Sequence, residues 1–421
     1  MRKIKDSGVA WIGVIPKNWQ LLSVGALFKV RNEKVNDTDY PPLSVTKGGI
    51  VPQMESVAKS DATDNRKMVL KNDFVINSRS DRKQSCGVSP LDGSVSLINT
   101  VLYPVPNAPV LPDYLDYLLK NYGFAEEFYR WGHGIVADLW TTRWQEMKNI
   151  FLPIPPVEEQ QKIIFSISTQ MEKVDALIAN VQEQIEKLKA YKQSLITEVV
   201  TKGLDPNVPM KDSGVEWIGK MPAHWDINRI KYVSDFAPTC NTDTLTQDSV
   251  VAYAPMECIK NGYFERRSAR YGSLAHTLTP FQNGDIVMAK VTPCFENGNI
   301  AVMKNLDSDY GLGSSELFVF RPRKIFTQYL MYWLQNQLFV RYACATMTGT
   351  GGLKRVSPAF VRGCNIHTPP VAEQKEIATY LDTKCAEIDQ LIAVKQSKIE
   401  KLEQYKRSLI YEYVTGKKEV S

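Results

Sequence analysis

The sequence predicts an α+β chain in which two globular parts alternate with two long helices. Three observations carry that expectation: a tryptophan-containing box that occurs twice, a helix start and seam that occur twice, and a length of 421 residues, more than one ordinary core takes up.

The box comes first. KDSGVAWIG, from Lys5 to Gly13, returns as KDSGVEWIG from Lys211 to Gly219, and Pro16 and Trp19 recur as Pro222 and Trp225 at the same offset of 206. Trp11, Trp19, Trp217 and Trp225 belong to this frame, so they read as packing residues rather than base-stacking platforms. The second block repeats at an offset of 214: PPVEEQQKI from Pro155 becomes PPVAEQKEI from Pro369, and IEKLKAYKQSLITEVVT (185–201) becomes IEKLEQYKRSLIYEYVT (399–415). Between the blocks the match fades. VLKNDFVINSR (69–79) only faintly echoes PFQNGDIVMAK (280–290), an alignment that sets Lys290 in the place of Arg79. Similar frames around unlike fillings predict one scaffold displaying two different surfaces.

Each second block reads as a helix. Prolines precede its first turn, and Glu158 and Glu159 follow at the positive end of the helix dipole. Val174, Ile178, Val181, Ile185, Leu188, Leu195 and Val199 recur at spacings that describe a coiled-coil seam, with Lys192 as a polar intrusion. Ile388, Ile392, Ile399, Leu402, Leu409 and Tyr413 repeat it. At ~1.5 Å per residue, such a helix reaches roughly 65 to 70 Å, the length of a spacer. Two apolar stripes of equal length are expected to pack on each other as an antiparallel coiled coil with pseudo-two-fold symmetry. The expected boundaries are 1–154 and 204–368 for the globular parts, and 155–203 and 369–421 for the helical spacers.

Composition narrows the class. Hydrophobic residues at 43% and charged residues at 23% are those of a globular chain and argue against disorder. No apolar run is long enough for a membrane span, and MRKIKDSGVAWIG lacks the apolar core of a secretory leader, so a cytoplasmic location is expected. Seven scattered cysteines without a C-x-x-C pair read as reduced thiols. The net charge is +5, and it sits in the globular parts: residues 1–156 carry 19 basic and 16 acidic side chains and 210–370 carry 17 and 13, against 6 and 8 for 157–209 and 9 and 9 for 371–421. That distribution suits a polyanionic partner.

The twice-repeated W-I-G box, the PPxxEQ helix start, the LxxYKxSLIxExVT tail and the two-half layout together resemble the specificity subunit of type I restriction-modification systems. The resemblance covers essentially the whole chain. It implies two target recognition domains alternating with the helical spacers, each domain reading one half of a split, asymmetric DNA site. It also implies two modification subunits that methylate adenine with S-adenosylmethionine, and restriction subunits that add ATP-dependent translocation and cleavage. S-adenosylmethionine, ATP and Mg are then expected on those partners, with no cofactor, metal or catalytic residue on this chain. The motif search agrees. There is no N-P-P-Y or D-P-P-Y string, VTPCF (291–295) being the nearest; GTGGLKRVS (349–357) has the wrong spacing for a phosphate-binding loop; and the four histidines show no metal-ligand pairing.

Reading base edges and holding phosphates calls for amides, hydroxyls and cations on exposed loops. In the first half, Asn77, Ser78, Arg79, Ser80, Arg82 and Lys83 follow a strand-like run, and glycine-flanked His133 precedes Arg143. In the second half, the candidates are Lys290, Thr292 and Asn297, and then Thr348, Thr350, Lys354 and Arg355 beside glycines. Tyr191, Leu195 and Ile196, with Tyr405, Leu409 and Ile410, lie near the helix ends; they form either the coiled-coil core or a docking face for the modification subunits. Rival readings are a repeat-built protein scaffold that never touches DNA and a self-contained nuclease, the latter lacking a convincing acidic triplet.

Overall fold

The computed structural model describes residues 2–53, 64–79, 82–134, 140–275, 277–350 and 352–420. The chain folds as two compact units: Met1–Gln182 together with Ser397–Ser421, and Glu183–Gln396. The long helices run from Val157 to Lys202 and from Val371 to Val414. Each unit therefore contains the opening turns of one long helix and the closing turns of the other.

In the first unit, the hairpin Ile4–Asp6/Val14–Pro16 precedes the strand Gln20–Ser23, which pairs antiparallel with Phe151–Ile154. The main sheet has the order Cys86–Val88, Phe74–Asn77, Asn99–Pro104, Phe28–Val30, with helices Pro112–Lys120 and Tyr122–Arg130 following it in the chain. The second unit repeats this plan. Hairpin Met210–Asp212/Lys220–Pro222 and the pair Asp226–Arg229/Asn365–Thr368 stand with a sheet ordered Ser234–Phe236, Leu317–Pro322, Ile286–Ala289, Ile300–Val302. Helices Thr327–Gln335 and Gln337–Ala345 follow. A second sheet here contains a parallel pair, Val250–Ala254 with Tyr310–Gly313, among antiparallel ones.

The repeated motifs have physical reasons. The glutamine of PPxxEQ is buried in both copies. Gln160 accepts from the Leu111 N–H (2.8 Å) and donates to the Pro109 and Pro155 carbonyls (2.7 and 2.9 Å). Gln374 accepts from the Phe326 N–H and donates to the Pro369 carbonyl, both at 2.8 Å. One amide thus ties the helix start to the segment that precedes the sheet-covering helices, satisfying backbone groups that would otherwise be orphaned.

The helix ends explain why the box and the tail repeat together. Gly416, at φ +71°, lies so close to Pro16 and Trp19 that an added Cβ would stand 2.4 Å from Pro16. Gly203, at φ +80°, faces Trp225 and Pro222 in the same way. Glycine adopts this left-handed turn without strain and keeps a Cβ from crowding the tryptophan. Buried tyrosines complete the closure. The Tyr114 hydroxyl lies 3.0 Å from the Pro153 carbonyl and 3.1 Å from that of Val414; the Tyr329 hydroxyl lies 3.2 Å from the His367 carbonyl and 3.3 Å from that of Val200. Trp19 and Trp225 are fully buried, and Trp11 and Trp217 pack edge-on against Phe124 and Trp333, so the frame tryptophans are core.

The seam is real in both units. Val174, Ile178, Val181, Ile399, Leu409 and Tyr413 are buried in the first, and Ile185, Leu195, Val199 and Ile388 in the second. The polar intrusion has a partner: Lys192 donates to both carboxylate oxygens of Asp389 (2.8 and 2.7 Å), and its repeat Lys406 donates to Asp175, the repeat of Asp389. With Gln184 accepting from Lys395, residue numbers rise on one helix as they fall on the other, so the packing is antiparallel. Both carboxylates are more than half exposed, so each pair is worth at most about 1 kcal/mol and apolar burial holds the helices.

Replacing Gln160 with Ala strands one buried N–H and two carbonyls, and at about 1–3 kcal/mol per orphaned group the variant should lose roughly 2 kcal/mol or more in urea unfolding. Gln374→Ala should behave alike. His367 gives a pH test. Its Nδ1 accepts from the Trp333 indole N–H (3.2 Å), and burial pulls its pKa from 6.5 down to about 4. The unfolded chain takes up this proton at the higher pKa, so stability present above pH 6.5 is lost as pH falls toward 4. Urea melts at pH 7 and pH 5 should show that loss in the wild type and less of it in His367→Gln.

Candidate nucleic-acid interface

The two candidate loops of each half, far apart in sequence, meet in one small ladder. In the first unit, Thr141 pairs antiparallel with Arg79 on one side and with His133 on the other. The Thr142 N–H donates to the Ser78 carbonyl (3.1 Å), and Thr141 and His133 exchange both backbone bonds (3.1 and 3.2 Å). In the second unit, Arg355 holds the centre, flanked by Val291 and Thr348. Val356 N–H donates to the Lys290 carbonyl and Thr292 N–H to that of Lys354, each at 2.9 Å, while Arg355 and Thr348 exchange bonds of 2.8 and 3.1 Å.

This register corrects the sequence alignment by one residue. The turns before the central strands superpose through Asn72 (φ 72°) and Gly284 (φ 86°), and through Asp73 and Asp285, which accept from the Leu70 and Gln282 N–H groups. Lys290 therefore stands where Ser78 does, and Val291 where Arg79 does. The sequence hides the shift because the turn glycine has an asparagine as its counterpart.

The ladder sorts the candidates by exposure. Asn77 is buried and its Oδ1 accepts from the Arg79 N–H (3.0 Å); Ser78 is buried and shares a hydrogen bond with Thr100 (2.9 Å). Thr292 is buried too, its hydroxyl donating to the Gly352 carbonyl (2.8 Å) and accepting from the Lys354 N–H (2.9 Å). These three shape loops rather than reach outward. Arg79, Arg82, Lys83, His133 and Arg143 are exposed in the first unit, and Asn297, Thr348, Thr350, Lys354 and Arg355 in the second. Lys83 lies 3.7 Å from Glu126 and 5.4 Å from the centre of the Tyr129 ring, and Lys290, half-buried, donates to the Ser315 carbonyl (2.6 Å). Ser80 lies outside the described residues. Arg355 is held by Glu316 through three short hydrogen bonds (2.9–3.2 Å), and this pairing is the main cause that lowers the Glu316 pKa below the ordinary carboxylate range. Among the described residues no group of His, Cys, Asp and Glu could hold a metal ion, and no helix is long and apolar enough to cross a membrane.

Residues 222–404 match the model of the type I restriction modification DNA specificity domain. Over that stretch, less than half of the chain, it is similar to the type I specificity subunits. Over 200 residues it is 26% identical to the EcoEI type I restriction enzyme specificity subunit of Escherichia coli, spanning 46% of this chain but 33% of that relative. It is 27% identical over 286 residues to the MjaVIII specificity subunit of Methanocaldococcus jannaschii, 64% of this chain and 62% of the relative. The chain thus spans less than two thirds of the length of either curated relative. Its fold is similar to that of a chain solved in work on complex assembly and conformational transition of the type I R-M system, with a TM-score of 0.66 and 16% identity over 95% of this chain and 98% of that one.

The helix-end residues divide clearly. Leu195, Ile196 and Leu409 are buried in the unit cores, and Ile410 is partly buried and packs against one. Tyr191 and Tyr405 are 57% and 46% exposed. Sequence reading missed Glu316, because a single acid before an apolar strand carries no signal until the fold sets Arg355 beside it.

Thr292→Val should leave the second unit folded but break the stitch between its two loops. Amide hydrogen exchange should then quicken around Lys354 while the exchange of Val287 and Val319 in the sheet is unchanged.

Proposed function

We propose that this chain reads a two-part DNA site, one part with each ladder, and recruits adenine-methyltransferase subunits, with restriction subunits completing the assembly. The observation that carries the reading is that both units build the same ladder at the end of the same sheet strand and then furnish it differently: Arg79, Thr141 and His133 in one, Val291, Arg355 and Thr348 in the other. One backbone plan with two side-chain sets is what an asymmetric site requires. The excess of positive charge in the globular segments supports a nucleic-acid partner, and similarity to type I specificity subunits supports both DNA as the target and methyltransferase subunits as company. Methylation and cleavage, with S-adenosylmethionine, ATP and Mg, would then reside on the partners, and the whole would act in the cytoplasm on the cell's own and incoming DNA. Tyr191 and Tyr405, exposed on the long helices, are the residues offered to the modification subunits.

The test is duplex binding by the full chain together with modification subunits. Changing Arg79, Arg82, Lys290 and Lys354 together to Ala should weaken binding at least about tenfold and flatten its salt dependence, by roughly one unit of slope for each phosphate no longer neutralised. Unchanged affinity and slope would remove both ladders from the interface.

A further inference from the structure

The second ladder holds an arginine whose guanidinium is already half used, and which half is used decides what it can bind. Arg355 faces Glu316 with its Nε–H, 3.2 and 3.0 Å from the two carboxylate oxygens, and with Nη2, 2.9 Å from Oε1. The carboxylate therefore occupies the side edge of the fork. Both N–H groups of Nη1 and one of Nη2 are left, and one from each nitrogen forms the end edge, two parallel donors that the acid does not occupy.

The main chain beneath is fixed as well. Arg355 exchanges two backbone bonds with Thr348, and Lys354 and Val356 on either side bond to Thr292 and Lys290. Arg355 and Glu316 are 48% and 30% exposed, so the free edge is open to a ligand while the acid limits the rotamers the long side chain explores. In the first unit the same ladder position is Thr141. The residue matching Glu316, one before the strand residue that pairs with the central strand's end, is Ile98. Among the described residues, the device belongs to the second ladder only.

We propose that Arg355 reads a guanine in the DNA half-site taken by the second unit, through its end edge to O6 and N7, and that Glu316 is its positioning residue. This rests on the DNA reading above. Two parallel donors match the two acceptors guanine presents in the major groove, and no other base offers that pair. A buttressed fork also loses less side-chain entropy on binding than a free one.

A randomised double-stranded oligonucleotide pool, selected with the full chain and modification subunits and then sequenced, tests this. The wild type should enrich a split motif with one guanine that depends on Arg355. Arg355→Lys keeps the charge but not the fork, and should lower preference at that single position roughly tenfold or more while the other half-site and the binding to unrelated duplex stay as they were. Glu316→Gln should relax the same position without weakening unrelated-duplex binding, since it removes a negative charge from the DNA-facing loops. A motif unchanged at every position in Arg355→Lys overturns the assignment. Equal losses across both half-sites, with a lower melting temperature, also overturn it by showing a structural role. A wild type that enriches no motif overturns the DNA reading itself.

Discussion

The structure depends on a closure made twice, in which the end of a long helix is received by a tryptophan box and a tyrosine that belong to the other repeat of the sequence. In the first unit, Trp19 and Tyr114 receive Gly416 and Val414; in the second, Trp225 and Tyr329 receive Gly203 and Val200. The tyrosine hydroxyl has one proton between two carbonyls, one from the local strand and one from the incoming helix. It therefore measures whether both are in place. Neither unit's core is complete without turns from both long helices, and the exchange fixes where sheet, hairpin and helix stand within each.

The frame and the ladders are built from different residues. The frame is buried and repeated: Gln160 with Gln374, Asn121 with Asn336, Trp19 with Trp225. The ladder residues are unlike, and Arg79, His133, Thr348 and Arg355 among them are exposed. Substitution at the second kind of position leaves the first kind untouched, so the ladders are free to diverge while the closure is kept. The ion pairs at the shared turn are repeated only in part. Asp73 and Asp285 stand at the same turn, yet Arg31 follows the strand Phe28–Val30 while Arg321 lies within the strand Leu317–Pro322.

The α+β class, the two long helices and their seam were legible because they rest on periodicity and repetition, and Lys192 was visible as an exception without its partner. The closure was not legible, since a sequence comparison aligns the box with the box and the tail with the tail, and shows nothing of which box meets which tail. The candidate loops were found by composition alone. Their meeting across the ladder, the burial of Asn77, Ser78 and Thr292 and the one-residue shift at Lys290 all depend on backbone pairing between segments some sixty residues apart. Short hydroxyl and amide side chains look alike whether they face solvent or a carbonyl.

The discontinuous first unit also sets an order of biosynthesis. Ser397–Ser421, which supplies its last buried turns, leaves the ribosome only after all of Glu183–Gln396. The portion translated earliest must wait, with the Trp19 and Tyr114 receptacle empty, while the portion translated later already has Val200 and Gly203 at hand. The N-terminal sheet is thus the last to mature, and chaperone protection during translation would be needed most by the half that is made first.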